Sequence, residues 1–267
     1  MEDHFIIFIF VETNLNQINM SKLFLVVFMS FAFLFSSYDT KAKNPKENEA
    51  DLIIYGGTSA GVNAAIQASR MGKAVILIEP TDRIGGLTTG GLGQTDIGNK
   101  MVIGGISREF YQNIKKYYQN PENWKWQKPE EYRDGGQTKT DNNEDAMWTF
   151  EPSAALKVLH QMLGQEKGIK LVYNQRLNRL SGVVKTKGSI SSIAMESGEI
   201  YKGKVFIDAT YEGDLMAASG VSYRVGRESN TEFGETLNGV QANKVSLTFR
   251  KTISINSENH NFVEGVD

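Results

Sequence analysis

Residues 51–80 read DLIIYGGTSAGVNAAIQASRMGKAVILIEP. Asp51–Tyr55 is a short apolar run that stops at Gly56-Gly57, the pattern of a parallel strand buried on both faces. Between Ala60 and Met71, residues Ala60, Ala64, Ala65, Ala68 and Met71 recur at helical spacing, and Gly72 closes the run as a C-terminal glycine does. Ala74–Ile78 is a second apolar strand, ended by Glu79-Pro80. Strand, glycine turn, helix and strand within about 30 residues make a βαβ unit. The expected class is therefore α/β with a parallel sheet.

Working outward, Ile106–Tyr118 carries Ile106, Phe110, Ile114 and Tyr117 on one helical face. Asn120–Asp145 is polar, charged and aromatic and reads as an irregular insertion. Pro152–Leu163 is a helix that Gly164 or Gly168 ends, and Ile169–Tyr173 is a further strand. Leu180–Lys185 and Ile190–Met195 pair as antiparallel strands across Thr186–Ser189. Glu199–Lys204 then leads into the apolar strand Val205–Ile207, which ends at Asp208-Ala209-Thr210. Val245–Ile253 alternates apolar and polar residues, as a half-solvated strand does.

Composition excludes several classes. Lys plus Arg is 29 against 31 Asp plus Glu, a net charge of -2 in 267 residues, without the basic excess of a nucleic-acid binder. Cysteine is absent, so disulfides, cysteine zinc sites, iron–sulfur clusters and a thiol nucleophile are excluded. At the N-terminus, Met20-Ser21-Lys22 precedes Leu23–Phe35, apolar except for Ser30. That is the pattern of a signal peptide and is short of the roughly 20 residues of a stable span. Residues 1–42 are expected to be this leader, with Met20 a candidate start and Ala42, two residues after Thr40, a candidate cleavage point. Residues 43–50 are a polar linker. The expected location is periplasmic or extracellular, and the only expected membrane contact is this segment, cleaved or kept as an anchor.

Four segments carry chemistry. Gly56-Gly57-Thr58-Ser59-Ala60-Gly61 lies where a dinucleotide fingerprint G-x-G-x-x-G would, with Thr58 at the middle glycine. Gly56 suits the tight turn, Gly57 spares a Cβ where backbone must approach a pyrophosphate, and Gly61 lets helix and strand pack closely. The helix N-terminus offers N–H groups to phosphates. A glycine at Thr58 would restore the commoner fingerprint and is expected to be harmless. A phosphate loop of the Walker kind would need Lys-Ser/Thr where Val62-Asn63 stands. Glu79 ends the second strand, where an acid accepts hydrogen bonds from ribose hydroxyls, unless it is simply a solvated acid. Arg83-Ile84-Gly85-Gly86-Leu87-Thr88-Thr89-Gly90-Gly91 is a second glycine loop. A nicotinamide dehydrogenase has no need of it, whereas a flavin dinucleotide lies extended past a second backbone stretch. Phe206–Asp214 returns the chain to the same place, with Asp214 either an acceptor for ribityl hydroxyls or a helix cap.

In this order the segments resemble the FAD-dependent oxidoreductases whose cofactor domain is like that of glutathione reductase. The likeness is greatest to a bacterial branch sometimes labelled xanthan lyase. The residues that carry it are Tyr55-Gly56-Gly57-Thr58, Arg83-Ile84-Gly85-Gly86, Gly104-Gly105-Ile106 with Glu109-Phe110-Tyr111, Phe150-Glu151-Pro152, and Ala209-Thr210-Tyr211-Glu212-Gly213-Asp214 with Gly226-Arg227-Glu228. In that branch Thr58 is the usual residue.

The resemblance implies a Rossmann-like FAD/NAD(P)-binding domain over 51–225, with a parallel sheet, a β-meander and an insertion at about 107–150. Residues 226–267 would begin a substrate domain, truncated here because family members usually continue well past residue 267. It implies FAD contacts at Gly56, Gly57, Thr58, Ser59, Ala60 and Gly61, with Glu79 on the adenosine ribose. Arg83, Gly85 and Gly86 would line the pyrophosphate side, Leu177 would meet adenine with its backbone, and Ala209, Thr210, Gly213 and Asp214 would approach the ribityl chain and phosphate.

The implied activity is that of an FAD-dependent oxidoreductase whose flavin accepts a hydride from an unidentified organic donor, a small molecule or carbohydrate. The alternatives are an NAD(P)-dependent dehydrogenase on the same βαβ unit, and a truncated, non-catalytic FAD-binding or carbohydrate-associated protein. No catalytic base can be read from His4, His160 or His260, and no spacing of His, Asp and Glu suggests a metal site. Trp124, Trp126, Tyr132 and Trp148, with Lys125 and Lys128, either stack on a sugar or anchor an irregular loop to the core.

Overall fold

In the computed structural model, strand β1 (Glu49–Tyr55) lies between β2 (Val75–Ile78) and β6 (Ile200–Asp208), parallel to both. Residues 44–45, 47–94, 98–132, 144–226, 228–236, 253–255 and 262–264 are described. The N-terminal leader expected at 1–42 and residues 245–252 of the last expected strand lie outside them. The six-stranded sheet has the order β3-β2-β1-β6-β5-β4, with β3 (Ile169–Val172), β4 (Val183–Thr186) and β5 (Ser189–Ala194). Its β3-β2-β1-β6 half is parallel, and β4, β5 and β6 form an antiparallel meander.

The register positions everything that follows. Tyr55 stands level with Ile78 on one side and Asp208 on the other, so β1, β2 and β6 end together. The ladder runs one bond further. Gly56 N–H donates to the Ile78 carbonyl and Ala209 N–H to the Tyr55 carbonyl, both at 2.8 Å. Gly56, Glu79 and Ala209 therefore leave the sheet at one edge.

Both faces of β1 are covered, as the unbroken apolar run predicts. Leu52 and Ile54 pack with Val75 and Leu77 beneath helices α1 (Ser59–Arg70), α3 (Gly105–Tyr117) and α4 (Pro152–Gly164), and the short helix α2 (Leu87–Gly90) falls between α1 and α3 in the chain. Ile53 and Tyr55 pack with Ile76 and Ile78 against Leu177, Ile193, Met195, Tyr201 and Leu215. Each fully buried aliphatic side chain contributes about 1.5–3 kcal/mol.

The face that α1 buries differs from the one the alanine spacing suggests. Gly61, Val62, Ala65, Ile66 and Ser69 are buried, while Ala60 is exposed and Met71 is 58% exposed. The branched aliphatics Val62 and Ile66 offer more apolar area than alanine and set the helix rotation. Two strand boundaries also differ. β4 starts at Val183, because the Asn178 carbonyl and side chain collect the N–H groups of Gly182, Leu180 and Ser181 into a turn that leaves Leu180 exposed. The two pieces expected between Glu199 and Ile207 are one continuous strand, β6. Lys187 and Gly188 both have positive φ, 52° and 85°, as the two-residue turn between β4 and β5 requires.

The expected irregular region contains short 3₁₀ turns at Pro121–Asn123 and Pro129–Glu131. Trp148 is 1% exposed, with its ring 4.3 Å from that of Tyr111 and beneath the Arg108 guanidinium. It anchors the core and is in no position to stack on a sugar. Arg70, near the end of α1, is bidentate to Glu109 on α3 and also meets Glu166 just beyond α4, tying the three helices. Helix α5 (Asp214–Ala218) follows β6. A second unit begins at Gly220 and includes α6 (Asn230–Phe233) and a hairpin of β7 (Ile253–Ile255) with β8 (Phe262–Glu264).

Gly61 and Gly164 make opposite predictions. A Cβ on Gly61 would lie 2.0 Å from the Gly56 carbonyl oxygen, whereas one on Gly164 would meet nothing within 4 Å. Gly61→Ala is expected to cost about 1–3 kcal/mol by overpacking. Gly164→Ala is expected to gain about 0.4–1 kcal/mol through the unfolded chain. Urea denaturation of both variants checks the pair.

Candidate functional site

The turn Gly56–Thr58 is held from three sides. Gly56 adopts φ +105°, a region that L side chains rarely enter, and a Cβ there would meet the Ala209–Thr210 peptide at 2.7 Å. Gly57 N–H donates to Glu79 Oε2 at 2.7 Å. A Cβ on Gly57 would come within 2.8 Å of that same oxygen and 3.0 Å of Ile84 Cγ2. The space that the sequence assigns to a pyrophosphate beside Gly57 is thus taken by Glu79 itself. Thr58 caps α1: its hydroxyl accepts from Gly61 N–H at 3.4 Å and donates to the Ala209 carbonyl at 2.7 Å. Its φ of -63° needs no glycine.

Glu79 is buried, 7% exposed, and is far from a loose acid at a strand end. Besides Gly57, it accepts from the Thr81 N–H and hydroxyl at 2.8 and 2.7 Å through Oε1. An ionised carboxylate has about four acceptor positions, so these three bonds leave room for a ribose hydroxyl.

The second glycine loop is laid along the first. Gly85 N–H donates to the Gly57 carbonyl at 2.7 Å, and Ser59 Oγ donates to the Gly85 carbonyl at 3.0 Å and meets Thr88 Oγ1 at 2.8 Å. Arg83 Nε bonds the Thr89 carbonyl and folds the loop back. Gly86, with φ +54°, sits against the Tyr211 hydroxyl, which accepts from Leu87 N–H at 2.9 Å. The third wall is the end of β6. Asp208 accepts from the Thr210 N–H and hydroxyl and, through its other oxygen, from Met216 N–H in α5. Thr210 Oγ1 in turn accepts from Gly213 N–H, and Gly213 takes the left-handed conformation that starts α5.

Between these walls lies a cleft of about 480 Å³. Of the expected site residues, Gly56, Thr58, Glu79, Arg83, Gly86, Leu177, Thr210 and Asp214 line it. Gly57, Ser59, Ala60, Gly61, Gly85, Ala209 and Gly213 are not part of its lining and shape the turns behind it or beside it. Leu177, expected to meet adenine with its backbone, reaches the cleft, and its amide donates to the Tyr55 hydroxyl at 3.0 Å. Burial raises the Tyr55 pKa, helped by the Asp214, Asp208 and Glu196 carboxylates and opposed by the Leu177 N–H. The phenol therefore stays neutral. The sequence reading missed Arg176, Arg179, Tyr55 and Tyr211 as cleft residues. Tyr211 lies inside the quoted Ala209–Asp214 motif, whereas Arg176 and Arg179 sit in an unpatterned polar stretch. Arg179 Nη1 lies 3.5 Å from Asp214 Oδ1. His160 is exposed, with Nε2 3.3 Å from the Tyr173 hydroxyl.

Thr58 tests the local geometry. Thr58→Ser should be close to neutral, because it keeps both hydroxyl bonds. Thr58→Gly strips the Ala209 carbonyl of a donor and is expected to cost about 1–3 kcal/mol, contrary to what the fingerprint alone suggests. Thermal unfolding of the two variants measures the difference.

Three solved structures similar to the chain are GidA from Aquifex aeolicus (15% identity, 60% of this chain and 25% of that one, TM-score 0.35), L-proline dehydrogenase from P. horikoshii (15%, 69% and 59%, TM-score 0.42) and thioredoxin reductase from T. acidophilum (15%, 61% and 35%, TM-score 0.35). The chain thus spans a quarter of the first and 59% of the second. No curated protein matches it. The family model described as FAD dependent oxidoreductase matches residues 51–263. The chain belongs to that family, whose cofactor is FAD.

Proposed function

We propose that the cleft between the two glycine turns and the end of β6 holds the FAD of an enzyme that oxidises an organic substrate, a small molecule or a carbohydrate. The observation that carries this reading is the hydrogen-bonded stacking of the second glycine loop on the first, at the edge where Glu79 and Thr210 also converge. A nicotinamide dehydrogenase would need the first turn only. The residues present fit the cofactor. The cleft volume falls within the roughly 300–1,000 Å³ of small-molecule sites. Arg83, Arg176 and Arg179 bring positive charge to it, and Glu79 and Asp214 bring acceptors.

Each group has a task in this reading. The first N–H groups of α1, at Ser59 and Ala60 outside the cleft lining, have no carbonyl a turn earlier and would suit a phosphate oxygen that extends beyond the cleft. Thr58 and Ser59 fix that helix end against β6 and the second loop. Glu79 holds Gly57 while accepting from a ribose hydroxyl, and Asp214 at the start of α5 faces the ribityl side. Arg83 braces the loop that passes the diphosphate. When bound, the flavin supplies the two-electron acceptor for the substrate's hydride.

Release of the nucleotide from the purified full chain tests the reading. One equivalent of FAD is expected after reconstitution, and NAD(P) in its place, or no nucleotide in folded protein, would overturn it. Glu79→Ala should weaken FAD binding roughly ten- to a hundredfold, the worth of a hydrogen bond to a charged group. Gly86→Val should abolish binding, because a Cβ there falls 2.2 Å from the Tyr211 hydroxyl on a left-handed backbone.

A further inference from the structure

A second concavity lies away from the FAD cleft, in the region after α3. It holds about 200 Å³. That is below the roughly 300 Å³ at which drug-sized sites begin and suits one ring. Its aromatic wall is fixed before any ligand arrives. Trp124 Nε1 donates to the Tyr118 carbonyl at 2.7 Å, and the Trp124 ring packs 4.8 Å from Tyr118 and 5.7 Å from Tyr132. The Tyr132 hydroxyl donates to the Thr149 carbonyl. Trp126 also lines the pocket, yet it is 86% exposed. Its indole does little for the fold and is available to a ligand.

The polar lining narrows the ligand class. Glu151 as a carboxylate only accepts, Lys125 only donates, and Gln127 does both. An anion would meet Glu151 unfavourably and a cation would meet Lys125. Neutral hydroxyls, which donate and accept, satisfy all three. Flat aromatic side chains beside such groups match a ring with C–H faces and hydroxyl edges. Glu151 is held in place, accepting from the Tyr118 hydroxyl at 2.8 Å, and burial keeps that phenol protonated. The pocket floor is also tied to the cofactor side. Phe150 N–H donates to the Gly93 carbonyl, two residues beyond the second glycine loop.

We infer that this pocket is a subsite for one neutral sugar ring, stacked on Trp126 and Trp124 and hydrogen-bonded through Glu151, Gln127 and Lys125. The binding stands by itself, and its place in a substrate rests on the oxidoreductase reading above.

The test titrates the full chain with methyl glycosides of neutral hexoses and with their disaccharides, by calorimetry and by tryptophan fluorescence. Flavin content is measured in every sample. Saturable binding of at least one glycoside is expected. Trp126→Ala and Glu151→Gln should each weaken it at least about tenfold while thermal midpoint and flavin content stay unchanged. Trp126 is exposed, and glutamine keeps an acceptor for the Tyr118 hydroxyl, so both variants should fold. No binding to any glycoside, binding indifferent to both substitutions, or tighter binding of a charged or flat aromatic competitor would overturn the inference. Flavin missing from every sample would overturn the cofactor reading instead, whatever the sugars do.

Discussion

The hydrogen bond from Gly57 N–H to the buried carboxylate of Glu79 is the contact on which the site depends. It joins the second residue after β1 to the residue after β2, two strand ends that the parallel register has already brought level. It requires that Gly57 have no side chain, since a Cβ would press on the acceptor oxygen. A buried carboxylate is costly without donors. Glu79 meets that cost with three, from Gly57 and Thr81, and so fixes both the first turn and the start of the second loop. The loop is then in place to bond Gly57 and Ser59.

The third wall obeys the same logic. Asp208 ends β6 level with Tyr55 and spends both its oxygens on local N–H and hydroxyl donors. Thr58 reaches across to Ala209. The turn after β1, the loop after β2 and the turn after β6 thus form one hydrogen-bonded unit, carried on a sheet whose two faces are filled. The proposed cofactor site, at the C-terminal ends of parallel strands, accords with the rule for open α/β sheets.

Much of this was legible in the residues. The βαβ unit showed in two apolar runs around a glycine turn, and both strands formed within two residues of the expected bounds. Gly56, Gly57, Gly61, Gly85 and Gly86 were recognisable as close-approach positions, although for Gly57, Gly85 and Gly86 the neighbours are side chains of the protein itself, whereas a Cβ on Gly90 or Gly91 would meet nothing within 4 Å. What the sequence concealed depends on the third dimension. The rotation of α1 turned on the greater bulk of Val62 and Ile66, which counting alanines misses. The two pieces of β6 looked separate because polar Glu199–Lys204 gives way to apolar Val205–Ile207, yet they form one strand, in which a Cβ on Gly203 would lie 2.6 Å from Ile53. Arg176 and Arg179 reach the cleft from a segment with no periodicity, and only the fold brings them there.

The central claim is that this hydrogen-bonded edge is the FAD site, and a crystal structure of the chain grown with FAD tests it most directly. The account predicts the diphosphate beside the N-terminus of α1 and the second glycine loop, with an adenosine ribose hydroxyl bonded to Glu79 and the Glu79–Gly57 bond intact. FAD bound elsewhere, or bound in this cleft with its ribose turned away from Glu79, would contradict it.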